Sequence, residues 1–210
     1  MADDDEYARL GITPTPDDGT RVSADVAWDE STRPRRPESP PDITYTRRGR
    51  LVGQHLIDVH DMLRRELGEL RDLLGQVRDG ALPAGDARAA LNDMALRQND
   101  WTLGAFCARY CGVITQHHGL EDEAIFPHLA RSEPSLSPVI ERLVAEHLTI
   151  HDAVMAVDGA LVDHINHPAD YDTIQSAIDL LTDALLSHLS YEEREIVEPL
   201  ARLGFYPGQV

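Results

Sequence analysis

The stretch LIDVHDMLRRELGELRDLL, residues 56–74, decides the fold. Its Leu56, His60, Leu63, Leu67, Leu70 and Leu74 recur at spacings of 4, 3, 4, 3 and 4, one stripe of an amphipathic helix ending near Gly80. Pro83 and Gly85 break that helix. A second helical region runs from about Asp86 to Arg131, interrupted near Gln98-Asn99-Asp100, where Asp100 can cap the next segment. A third follows Pro134 and Pro138 and reaches about Asn166. The fourth begins near Asp170 and ends at Leu203, with Gly204 in the C-cap position. No strand pattern occurs. Long helices joined by short connections bury one apolar stripe each by packing together. The expected fold is therefore all-α: an up-down-up-down four-helix bundle over residues 46–204.

Outside the bundle, residues 1–45 hold six of the thirteen prolines and mix acidic with basic clusters without apolar periodicity. Such a composition cannot build its own core. It predicts a Pro-rich, charged N-terminal arm, extended or disordered, and if extended then laid across the folded part, where Trp28, with Val22 and Val26 near it, anchors it in a groove. Functional chemistry is expected in the bundle, and a chain starting near Thr46 is expected to fold and keep that chemistry without the arm.

The whole chain has 210 residues and a formal net charge of −18, from 19 basic and 37 acidic residues. That surface repels phosphate backbones and anionic lipid, which argues against nucleic-acid and membrane partners. No apolar run approaches the ~18 residues of a membrane helix. The sequence at Met1–Glu6 has neither the basic nor the apolar region of a signal peptide. Two cysteines make no disulfide framework, so a cytoplasmic location is expected.

The unusual entry in the composition is ten histidines, and each helix places one inside its apolar stripe. His60 takes a leucine's place on the first. Phe106, Tyr110, Val113, His117 and Glu121 follow one another at 4, 3, 4 and 4 on the second. Val144, His147, His151 and Val154 are spaced 3, 4 and 3 on the third, and Leu181, Leu185, His188 and Glu192 are spaced 4, 3 and 4 on the fourth. Residues at i and i+4 project side by side. His117/Glu121, His147/His151 and His188/Glu192 are thus three inward pairs, with His60 a seventh group. Burying five imidazoles and two carboxylates without a counter-charge would be severely unfavourable, and a dication removes the problem. Seven donors exceed one tetrahedral zinc and suit two octahedral-leaning ions bridged by carboxylates. Mixed nitrogen and oxygen donors favour iron, then manganese. No histidine has a glutamate three residues before it, which disfavours the ferritin type of di-iron bundle.

At these residues the chain resembles the hemerythrin family, in particular bacterial hemerythrin-like HHE domains. The marks are HDMLR at 60–64, HHGLEDEAIFP at 117–127, Glu146-His147 with His151, and His188 with Glu192-Glu193. The likeness spans residues 50–203, about three quarters of the chain. It implies a four-helix bundle with a non-haem di-iron centre, bridged by carboxylates and by an oxo or hydroxo group. The ligands it implies are His60, His117, Glu121, His147, His151, His188 and a glutamate on the fourth helix. Glu192 sits about 40° from His188 around a regular helix and Glu193 about 140°, which favours Glu192 unless a π-bulge intervenes.

His118 and Asp122 form a competing i, i+4 pair on the second helix. The family register favours the earlier pair and leaves His118 to orient a ligand. His55 falls on another face from His60, His128 reads as structural, and His164 and His167 read as a solvated helix end. Cys107 and Cys111 read as small packing residues, and Tyr110 as packing or the lining of a small-ligand pocket. The resemblance implies binding of dioxygen or a related small oxidant, for storage, carriage or sensing. The alternatives are a di-iron enzyme acting on peroxide or nitric oxide, and a redox sensor acting through a protein partner. All three functions need the same ligands.

Overall fold

The computed structural model describes residues 2–79, 103–166 and 171–210. Helix α1 spans Ala2–Leu10 and α2 spans Arg47–Arg78. Helix α3, Leu103–Leu120, runs through a π turn, Glu121–Ile125, into α4, Phe126–Ser132. Two long helices follow, α5 at Ser137–Asn166 and α6 at Asp172–Leu203. Among the described residues there is no strand, and no helix is long and apolar enough to cross a membrane. The break expected near Gln98–Asp100 lies outside the described residues.

The ends of the long helices follow from local chemistry. Thr46 caps α2: its hydroxyl accepts the Gly49 N–H at 2.9 Å. Gly204 ends α6 at φ 78° while its N–H bonds Leu200 O. Helix α6 packs against both α2 and α5, and α3 packs against α5. The approach of α2 to α6 is close. A Cβ on Gly49 would stand 2.0 Å from the Ala201 carbonyl oxygen, so no side chain fits there.

Two apolar clusters divide the interior. One gathers Leu63, Leu67, Leu70, Ile114, Ile150, Val154, Ile178 and Leu185. The other gathers Val52, Ile57, Phe126, Leu129, Leu143, Ile196 and Leu200. Each long helix passes from one cluster to the other, and at each crossing the chain puts buried polar residues: His60, His118 with Glu121, His147, and His188 with Glu192.

The N-terminal arm lies across the folded part, and its first residues are helical. It begins as a helix whose Tyr7 and Leu10, with Ile12 beyond it, are buried in the second cluster. It then lies along α6. The Tyr7 hydroxyl donates to Arg194 O, the N–H groups of Val22 and Ser23 donate to Asp183, and the Arg36 N–H donates to Glu195. Trp28 is partly buried against the first cluster, while Val22 and Val26 are exposed. With the arm in place, the stretch of α6 from Ser187 to Ala201 is buried on nearly all sides, although it carries four glutamates there. Proline-rich composition precludes an independent core, but it does not preclude packing on a neighbour.

Candidate metal centre

Where the helices cross between the clusters, two groups of donors form. His118, His147 and His188 make one; His60, His117, Glu121 and Glu192 make the other; within each group the donor atoms lie within 4.8 Å of one another. The carboxylates face both groups. Glu121 Oε1 is 3.2 Å from His117 Nε2, and its Oε2 is 3.7 Å from His147 Nε2. Glu192 Oε2 stands 3.5 Å from Nε2 of both His60 and His188.

The second helix supplies two adjacent histidines, and the local backbone explains how. The Phe126 N–H bonds Glu121 O, an i→i+5 link that marks the π turn. Such turns insert one residue into an α-helix and are frequent at functional sites. Here the extra residue absorbs the offset between His117 and His118 upstream and the buried Ile125, Phe126 and Leu129 downstream. His118 lies flat on His147, with centroids 3.8 Å apart and planes 6° apart.

Three imidazoles are held from behind. The Nδ1 atoms of His60, His147 and His188 meet Glu193, Asp122 and Glu146 at 2.9, 2.8 and 3.1 Å. A carboxylate on Nδ1 fixes the ring orientation and aims Nε2 inward, the usual outer support of a metal-binding histidine. The inward atoms are orphans. Among the described residues, Nε2 of His118, His147 and His188, and both oxygens of Glu121 and Glu192, are buried without a hydrogen-bond partner. Each such atom costs about 1–3 kcal/mol when unpaired, and together they rival the whole stability of a domain, about 5–15 kcal/mol. Cations coordinated by these atoms remove that cost, so the residues present fit a metal centre.

Against the expected ligand set, the structure brings together His60, His117, Glu121, His147, His188 and Glu192. His151 is not among them: it is exposed. The buried stripe of α5 runs Leu143, His147, Ile150, Val154 and Val157, with His147 at one edge, and i+4 carries His151 a further ~40° outward, about 80° from the centre of the stripe. Its place is taken by His118. Glu193 holds His60 from behind instead of entering either donor group. His55 is exposed and meets Phe205 edge-on. His128 bonds Leu203 O at 3.2 Å, a packing role. The readings of Tyr110, Cys107, Cys111, His164 and His167 fall outside the side chains described.

A family model, the hemerythrin HHE cation-binding domain, matches residues 52–200. The chain belongs to that family. No curated protein and no solved structure matches it significantly. The cation-binding domain thus spans every residue of both donor groups, while the arm lies outside the matched region.

Without a cation, the donors of this hemerythrin-like domain carry protons that metal must displace. Burial and the neighbouring Glu192 raise the Glu121 carboxyl well above the usual range. Burial opposes the charge on His188, but its hydrogen bond to Glu146 and the nearby Glu192 carboxylate raise it overall. Burial pushes His117 down to about 3 and lowers His118 and His147, which leaves those rings neutral. Burial also works against the charge on Glu146, yet hydrogen bonds from His188 and Arg33 bring it down to about 2. Glu121 and His188, with raised values, hold protons that a coordinated cation expels, so a fall in pH favours the metal-free form. Anaerobic titration of metal-free protein with Fe(II) is expected to release protons, more of them as the starting pH is lowered. A pH indicator in weak buffer measures them, and uptake without proton release would contradict the assignment.

Proposed function

We propose that this centre holds two non-haem iron ions, bridged by Glu121 and Glu192, within an up-down-up-down four-helix bundle, and that it binds dioxygen or a related small oxidant. The observation that carries the reading is the placement of both carboxylates between two donor groups, each facing histidines of both. Five imidazoles and two carboxylates are too many for one tetrahedral ion, and their mixed nitrogen and oxygen character favours iron. A ferrous pair supplies electrons and an open coordination position to a diatomic ligand. Ferrous iron is available in a reducing cytoplasm, the compartment the sequence favours.

The surroundings support binding over turnover. Of the seven donors only His117 is not buried, with 12% of its side chain exposed, so ligands that reach the centre are small. The carboxylates nearest the donors, Asp122, Glu146 and Glu193, are each engaged by an imidazole. None is free to deliver protons in a catalytic cycle, which works best with a positioned acid or base of matched pKa. Elemental analysis of iron-supplemented protein is expected to give about two irons per chain. The reduced protein should form an optically distinct oxygen adduct or autoxidise slowly. A single zinc per chain, or fast sustained peroxide decomposition, would overturn the reading.

A further inference from the structure

The arm, which the family match does not include, reaches the back of the donor groups at two points. The Thr15 N–H donates to Glu193 Oε2 at 2.7 Å, behind His60. Arg33 forks onto Glu146, with Nε to Oε1 at 2.8 Å and Nη2 to Oε2 at 2.9 Å, behind His188. The guanidinium is itself fixed. Its Nη1 bonds the Ser187 hydroxyl at 2.8 Å, its Cζ lies 4.6 Å from the centroid of the Tyr191 ring, and only 6% of the side chain is exposed. Tyr191 in turn donates to Pro34 O at 2.8 Å.

We propose that Arg33 is a positioning residue of the metal centre, holding Glu146 so that His188 points its Nε2 at the pocket it shares with His118 and His147. The inference rests on the metal-centre reading above. Both oxygens of Glu146 are taken up by this fork. Arg142, bonding Oε1 at 2.7 Å, and His188, bonding Oε2 at 3.1 Å, then share what remains. Arg142 approaches one oxygen alone and is more exposed, with 21% of its side chain accessible. It cannot set the carboxylate plane by itself, whereas a bidentate guanidinium can. The arm is therefore a working part of the centre, in addition to covering α6.

The test uses the full chain with Co(II) as an optical probe, followed by Fe(II) uptake under anaerobic competition with a chelator. Arg33→Met is expected to keep the ion held by His60, His117, Glu121 and Glu192. It should weaken the ion held by His118, His147 and His188 by about 10–100-fold, the size of outer-support effects. Arg33→Lys restores charge without the fork and should recover only part of that loss. Arg21→Met breaks a different ion pair of the arm, that of Arg21 with Asp17 and Glu30, and should leave both affinities unchanged. If Arg33→Met does not fold, the Lys variant decides by the same selective loss. Two ions held at wild-type affinity in a folded Arg33 variant overturn the inference. Equal weakening of both ions by the Arg33 and Arg21 substitutions also overturns it, because the arm would then act only as a structural cover. Wild-type protein that takes up no ion overturns the metal-centre reading itself.

Discussion

Deleting residues 1–45 is expected to abolish the cooperative fold and, with it, metal binding. Tyr7, Leu10 and Ile12 are buried in the second core cluster, and each such side chain contributes roughly 1.5–3 kcal/mol. The deletion also takes a cation or a hydrogen-bond donor from buried carboxylates of α5 and α6. Arg36 pairs with Glu6 and stands 3.8 Å from Glu198, which is fully buried. Arg33 leaves Glu146, and the Thr15 N–H leaves Glu193. Taking one partner from a buried ion pair costs about 3–5 kcal/mol. Arg142, Arg64 and Arg202 remain to moderate the loss. Even so, the lost burial and the stranded carboxylates together match the about 5–15 kcal/mol that holds a typical domain folded. Circular dichroism, thermal melting and iron content of residues 46–210 measure the outcome. A helical fragment that melts cooperatively and carries full iron would show the arm to be dispensable, as its composition alone suggests.

The contrast between arm and bundle shows what a sequence can display. The stripe Leu56, His60, Leu63, Leu67 and Leu70 announces its helix because every residue obeys one local period, and α2 buries all of them. The end at Leu203 is equally local, set by Gly204. Arg33 has no such signature. Its partner Glu146 lies 113 residues away and Ser187 lies 154 away, so only the tertiary fold joins them. Helix α1 hides for the same reason: its apolar residues are few, and its stability comes from packing on α6. Within the site, a period of 3.6 places i and i+4 together and so favours His147 with His151. It cannot report that the stripe of α5 is centred nearer Ile150 and Val154. Nor does it reveal a π turn, which changes which neighbours face inward after His117 and His118. The Glu146 and Asp122 supports could have been suspected. Glu146 directly precedes a histidine, and Asp122 stands one helical turn after His118.

The assignment of His118 over His151 separates the two ways of reading the site, and its effect on metal should be large. His118→Ala is expected to cost the three-histidine group its ion, with affinity falling by more than the about 10–100-fold typical of losing an outer support. The Nε2 of His118 is buried without a partner among the described residues, and its ring stacks on His147, so alanine removes both a donor atom and that stacking contact. Asp122→Ala acts one step removed, by freeing His147 Nδ1, and should fall within that outer-support range. His151→Ala is expected to leave both ions in place, because its side chain is exposed on the outer face of α5. Metal titration of the three variants, with circular dichroism to verify folding, orders them: His118 greatest, Asp122 intermediate, His151 none. The reverse order, with iron lost from His151→Ala and kept by His118→Ala, would restore the regular i, i+4 pairing on α5. It would also mean that the chain rotates α5 and rearranges the π turn when metal enters.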